Sequence, residues 1–347
     1  MKEKTNQIPA SIDNIYRLEG RVPVASAIPF GLQHILAMFV ANIAPVMIVA
    51  GVCGMESKQI AMLIQCAMII AGIGTIIQLY PVWRIGSGLP IVMGISFTFV
   101  SIFCFIGAQY GYGAVVGAVI VGGVIEGTLG LLAKYWRKLV SPIVAASVVT
   151  AIGFSLLNVG ATSFGGGSGA EDFGSAKNLI LGTITLVVCL VFNIVAKKHY
   201  KQLSVLAGLV VGYLVAIPMG KVDFSGFADC GIISVPHFMP FKPEFNISAI
   251  VSVTMIFLVS ATETIGDTSA VAASGLGREV TEKEISGSIA CDGFISALSG
   301  LFGCMPITSF SQNVGLVAMT KVVNRFTILM GAIIMIIAGF VPAVGTA

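Results

Sequence analysis

Two acids, Glu263 and Asp267, stand inside an otherwise apolar stretch, Ile256-Phe-Leu-Val-Ser-Ala-Thr-Glu-Thr-Ile-Gly-Asp-Thr-Ser-Ala270. Their spacing puts them on one face of a helix. At membrane depth an acid costs about 2.5–3.5 kcal/mol on insertion scales, so such a pair faces a cavity, a partner or a transported solute. Carboxylates only accept hydrogen bonds, and the chemistry open to this face is to take N–H donors from a polar solute. Two acids within one turn repel as a charged pair, which also suits them to taking up a proton. Glu126 and Asp292 are two more acids within apolar stretches. Glu126 sits beside Gly127 and Gly122-Gly123 and reads equally as a buried acid bonded to a neighbouring helix or as a functional group.

The surroundings read as membrane. Of 347 residues, 56% are hydrophobic and 10% charged, and mean hydropathy is +0.98. A soluble domain carries roughly 25% charged residues. The net charge is only +3, and no basic patch with interleaved aromatics points to nucleic acid. The seven cysteines include no close CxxC pair, so they read as small buried apolar residues; no metal, disulfide framework or cofactor is implied. The polar N-terminus lacks the order of a cleaved signal peptide, so the first apolar segment is a retained span. Phe164-Gly-Gly-Gly-Ser-Gly-Ala170 is glycine-rich but lacks the Lys-Ser/Thr of a phosphate cradle and reads as a flexible loop.

Apolar stretches of spanning length, about 20 residues, fall near 29–52, 58–79, 113–132, 141–159, 177–196, 203–219, 247–266, 284–303 and 325–346. Two more, 89–107 and 305–321, are interrupted by Gly, Pro and hydroxyl residues, giving eleven expected crossings. On this count Lys2, Lys4, Arg17, Arg21, Arg84, Lys134, Arg137, Lys138, Lys197, Lys198, Lys201, Arg278, Lys283, Lys321 and Arg325 share one side. Only Lys58, Lys177, Lys221 and Lys242 fall on the other. The bias places the N-terminus in the cytoplasm of a multi-pass plasma-membrane (inner-membrane) protein in contact with lipid.

The interrupted segments resemble each other: Gly88-Leu-Pro-Ile-Val-Met-Gly-Ile-Ser-Phe97 and Gly303-Cys-Met-Pro-Ile-Thr-Ser-Phe-Ser-Gln312. Each runs from Gly and a nearby Pro through a β-prone stretch to a Ser at a helix start. Extended backbone survives in a membrane only inside protein or along a cavity, and these two pieces can pair with each other. Matched broken spans point to an inverted-repeat transporter with its site where the half-helices meet, near Phe97 and Gln312, whose free N–H groups favour acceptor atoms.

Ser311-Gln-Asn-Val-Gly-Leu-Val-Ala-Met-Thr-Lys321 resembles the signature of the nucleobase–ascorbate transporter (nucleobase–cation symporter-2) family, matched at Gln312, Asn313, Gly315, Thr320 and Lys321. Gln33-His34 in the first span, Glu263 and Asp267 in the eighth and Asp292 in the ninth match further family features. The resemblance covers nearly the whole chain. It implies an all-α fold of fourteen segments in two inverted repeats of seven, with short strands in segments 3 and 10. A cytoplasmic stretch 1–27 would precede core segments 1–4 (28–133), gate segments 5–7 (134–222), an outer loop (223–246) and core segments 8–11 (247–347). About eleven of the fourteen segments are then expected here, with 12–14, half of the gate, missing. The family's homodimer forms largely through the gate.

The resemblance implies proton symport of a nucleobase, with Glu263 accepting two ring N–H groups and Gln312 reading a C=O beside an N–H. Gln at the Gln312 position goes with xanthine or urate carriers and Glu with uracil carriers, so an oxidised purine is expected. Ser96, Phe97 and Ser311 would line the site. Asp267 would tune Glu263 or take part in proton coupling. Gln33, His34, Asn313 and Asp292 would support the site structurally. Three other readings are a uracil or other nucleobase permease, a sulfate-type anion transporter of the same fold, and a fragment that does not transport. A sulfate-type carrier would lack the Gln312–Lys321 signature. An intramembrane hydrolase is set aside because His34, His199 and His237 build no catalytic constellation.

Overall fold

The computed structural model describes residues 10–136, 142–167, 170, 172–196, 204–222 and 235–341. Lys2, Lys4, Arg137, Lys138, Lys197, Lys198, Lys201, His199, Cys230, Ser168 and Gly169 of the glycine-rich loop and the first half of the 223–246 loop lie outside these residues.

Helices α1 (Val24–Val52) and α2 (Ser57–Leu79) open the bundle. A box in which the Glu56 N–H donates to Gln59 Oε1 (3.0 Å) starts α2, and Pro81 follows its end. The chain then turns through Gly86 and Gly88, both at positive φ (+103° and +75°), into strand β1 (Met93–Ile95). A short 3-10 turn, Phe97–Phe99, leads into α3 (Val100–Tyr110), which α4 (Tyr112–Leu131) follows. After the short α5 (Ala133–Trp136) come α6 (Pro142–Phe164), α7 (Ala176–Val195) and α8 (Ser204–Ala216). Next are α9 (Ile247–Ala270), α10 (Glu282–Leu301), strand β2 (Ile307–Ser309), α11 (Ser311–Thr320) and α12 (Arg325–Gly339). Among the described residues four helical stretches are long and apolar enough to cross a bilayer alone: Ser57–Leu79, Tyr112–Leu131, Ala176–Val195 and Ile247–Gly275.

The two strands pair antiparallel, Met93 opposite Ser309 and Ile95 opposite Ile307. Two strands leave two open edges, and unpaired backbone groups are costly in a membrane. Side chains of the flanking helices close both edges. On β1 the Met93 N–H donates to Thr75 Oγ1 (3.0 Å) and the Ile95 N–H to Asn42 Oδ1 (2.6 Å). On β2 the Ile307 N–H donates to Ser296 Oγ (3.1 Å) and the Ser309 N–H to Asp292 Oδ2 (2.9 Å).

Around this ribbon the helices touch through glycine, as expected where backbones must approach closely. A Cβ on Gly293 of α10 would lie 2.0 Å from the Gly127 nitrogen of α4, and one on Gly130 2.3 Å from the Ala290 nitrogen. The core is a continuous apolar cluster holding Met38, Ile64, Phe99, Phe103 and Phe257. The described N-terminal residues are tied in as well: the Ile15 carbonyl accepts from the Val323 N–H (2.9 Å), and Asn324 Nδ2 donates to the Gly20 carbonyl (2.9 Å).

The α6–α8 region is built differently. Helix α7 exposes Ile180, Leu190, Ile194 and Val195. The described part of the glycine-rich loop is anchored: Asn178 Nδ2 donates to the Gly165 and Asp172 carbonyls (3.1 and 3.0 Å). The N–H groups of Gly166 and Gly167 are spent on Ser163 and Thr162 carbonyls, so they are not turned toward an anion. Lys221 caps this corner with an ion pair to Asp172.

Candidate functional site

Helix α9 carries the acids among several hydroxyl residues. Thr262, Thr268 and Ser269 each donate to the carbonyl one turn back, and Thr264 Oγ1 lies 3.1 Å from the Ser260 carbonyl, so these hydroxyls are satisfied inside an apolar bundle. Glu263 and Asp267 share a face and meet the start of α11. Ser311 Oγ lies 3.2 Å from Glu263 Oε1 and 3.0 Å from Asp267 Oδ2, able to donate to either. Thr98 Oγ1, in the turn after β1, donates to Glu263 Oε2 (2.8 Å). The first broken segment and the second therefore grip one carboxylate from opposite sides.

Behind Glu263 the polar chain continues. Ser309 Oγ lies 3.2 Å from Asp267 Oδ2 and 3.4 Å from Thr264 Oγ1. Thr264 Oγ1 donates to Asp292 Oδ2 (2.6 Å), the oxygen that also takes the Ser309 N–H. Asp292 Oδ1 accepts from Gln78 Nε2 (3.2 Å), and Gln78 Oε1 takes both the N–H and the hydroxyl of Ser87 (2.9 Å each). Asp292 thus ties α2, α9, α10 and β2 at one fully buried point.

The other residues named from sequence are placed as follows. Ser96 is buried, with its hydroxyl accepting from the Thr98 N–H (3.3 Å) to cap the turn. Phe97 is half-buried against the core cluster. Gln312 is exposed and its amide makes no hydrogen bond among the described residues. His34 is buried on α1 facing Asn313 of α11; the Nδ1 of His34 and both amide atoms of Asn313 lack a partner in hydrogen-bond geometry. Gln33 is half-buried. Sequence reasoning missed Gln78, Thr98, Thr264 and Ser309. The available signal was the density of hydroxyl residues around the two acids.

Each Glu263 oxygen has one hydroxyl within hydrogen-bond distance, Ser311 being shared with Asp267, and keeps acceptor capacity. The exposed Ser311 and Gln312 beside it open the site at a helix start, where backbone N–H groups favour acceptor atoms. The arrangement can bind and orient a flat solute carrying both donors and acceptors.

A membrane bundle with two broken segments paired across its centre and acids at their junction is a transporter. The chain matches the Permease family (Xan_ur_permease) over residues 25–347 and belongs to it, the nucleobase–ascorbate transporter family. It is 34% identical over 342 residues to a putative purine permease of Clostridium perfringens, covering 99% of this chain and 75% of that one. It is 36% identical to the uric acid permease PucK of Bacillus subtilis (90% of this chain, 73% of that one). It is 31% identical to the xanthine permease XanQ of Escherichia coli (97% and 75%). In fold it is similar to the transmembrane domain of the cyanobacterial bicarbonate transporter BicA, with TM-score 0.62, 13% identity, and 90% of this chain and 86% of that one covered. The family and these relatives are permeases, so the chain is a multi-pass membrane transporter of the nucleobase class and not an enzyme.

Proposed function

We propose that the protein imports an oxidised purine, xanthine or urate, by proton symport. Core segments (28–133 and 247–347) would move against gate segments (134–222), with the N-terminus in the cytoplasm. The relatives named for xanthine and uric acid support the substrate class. The observation that carries the reading is the Glu263 carboxylate, held by Thr98 and Ser311 with acceptor capacity left over, at the start of the helix that also carries exposed Gln312. Glu263 takes two ring N–H groups; Gln312 reads a carbonyl beside an N–H; Phe97 stacks on the ring. Asp267, sharing Ser311 with Glu263, tunes that carboxylate, and Asp292 holds the site helices in register. The like treatment of the two strand edges supports the 7+7 inverted repeat: each is closed by one hydroxyl residue and one Asn or Asp.

The test is binding of labelled xanthine to the chain in detergent, with urate, uracil and sulfate as competitors. Saturable binding displaced by urate, unaffected by uracil or sulfate, and lost in Glu263→Gln is the expected result. Displacement by uracil would make the site a general nucleobase site. Retained binding in Glu263→Gln would remove Glu263 from the ligands.

A further inference from the structure

The four acids inside the bundle are not treated alike. Glu263 meets Thr98 and Ser311, Asp267 meets Ser309 and Ser311, and Asp292 meets Thr264, the Ser309 N–H and Gln78. Glu126 on α4 is 1% exposed, and neither of its carboxyl oxygens has a partner in hydrogen-bond geometry. It sits where the glycines of α4 bring the backbone against α9 and α10: a Cβ on Gly122 would meet Phe257, and one on Gly123 would lie 2.6 Å from the Ala297 nitrogen. From α9 its neighbour is Ser260, whose hydroxyl is also buried and unpartnered, and the charges of Asp292 on α10 and, more weakly, Glu263 on α9 would act on it. Helices α4 and α9 contain no Lys, Arg or His, and the one cation of α10, Lys283, lies in its first turn.

A bare carboxylate here would have no cation on α4 or α9 and, in the arrangement described, no hydrogen bond, with the Ser260 hydroxyl its one neighbouring donor. Burying an unpaired charge costs far more than burying a neutral acid, so this side chain is carried with its proton on. Ser260 lies three residues from Glu263 on the same helix, so a solute that moves Glu263 also moves the hydroxyl in front of Glu126.

We propose that Glu126 is the proton-binding group of the transport cycle, holding behind α9 the proton that travels with a purine bound in front of it. This rests on the proton-symport reading above. On release the acid O–H bond breaks and the proton passes to water. Ser260, unpartnered here, turns to donate to the carboxylate left behind.

The experiment uses the full chain in proteoliposomes holding a pH-sensitive dye, with labelled xanthine outside. The wild type should acidify the lumen as xanthine enters and accumulate xanthine down an inward proton gradient. Glu126→Gln should still bind xanthine and exchange it across the membrane, without acidification and with accumulation reduced at least about tenfold. Glu126→Asp should restore both. A Glu126→Gln protein that acidifies the lumen like wild type overturns the proposal. Xanthine uptake without protons in the wild type overturns symport and the proposal together. If the wild type binds xanthine but does not move it, infrared difference spectra decide. A protonated-carboxyl band missing in Glu126→Gln upholds the proton site, and identical spectra overturn it.

Discussion

The ribbon-centred half of the molecule and the α6–α8 half solve the membrane problem in opposite ways. Around β1 and β2 every strand edge is closed by a side chain and helices meet through glycine. In α7 the helix is apolar on nearly every side, satisfies its backbone internally and leaves its large side chains exposed. The first design fixes position, because many specific contacts must be met at once. The second tolerates sliding, because apolar surface meets lipid or protein almost equally well.

The comparison breaks most severely at Asp292. Asp292→Ala would leave the Ser309 N–H without an acceptor in a dry interior and remove one hydrogen bond each from the donors of Gln78 and Thr264, which keep only Ser288 and the Ser260 carbonyl, at a cost of about 3–5 kcal/mol. Thermal unfolding in detergent should show a large drop and xanthine binding should vanish, whereas Val191→Ala on exposed α7 should leave both near wild type. A small drop for Asp292→Ala would mean that the polar chain does not hold the helices together.

Gly293→Ala should come next, at about 1–3 kcal/mol, because its methyl would force α4 and α10 apart. Its counterpart Gly160→Ala, in α6 with open space around the added carbon, should be neutral or stabilising by up to about 1 kcal/mol. The same assay reads both, and equal effects would erase the distinction between the halves.

Within the site Thr98→Val keeps the shape and removes the hydroxyl on Glu263 Oε2. Xanthine binding should weaken roughly fivefold, about 1 kcal/mol, with stability unchanged. The smallest effect belongs to Asp172. The hydrogen bond from Lys221, with Asn178 beside it, holds its carboxyl below the usual range. A lowered acid contributes its link above the ordinary carboxylate pKa and loses it only as pH falls through the lowered value. The pair should therefore persist to about pH 4 in salt titrations of wild type. In Asp172→Asn it is absent throughout, with no shift in unfolding at neutral pH.

The breaks in the spans were legible because Gly and Pro announce them, and the strands fall within the two interrupted segments, at 93–95 and 307–309. The acid pair was legible because charge in an apolar run is conspicuous. Gln78, Thr98, Thr264 and Ser309 were not, since isolated hydroxyls and amides are ordinary in membrane helices and only the three-dimensional path shows that they join. The docking of the N-terminal residues was hidden for a related reason. Ile15 lies in a polar stretch, and its carbonyl meets residues from the far end of the chain.

The pairing of β1 with β2 also sets a timetable. The partner of Met93 is Ser309, so roughly two hundred residues must be made after β1 leaves the ribosome before its edge can close. At about 5–20 residues per second this is a wait of roughly 10–40 s. For that interval one edge of β1 is open backbone, which a bilayer does not satisfy.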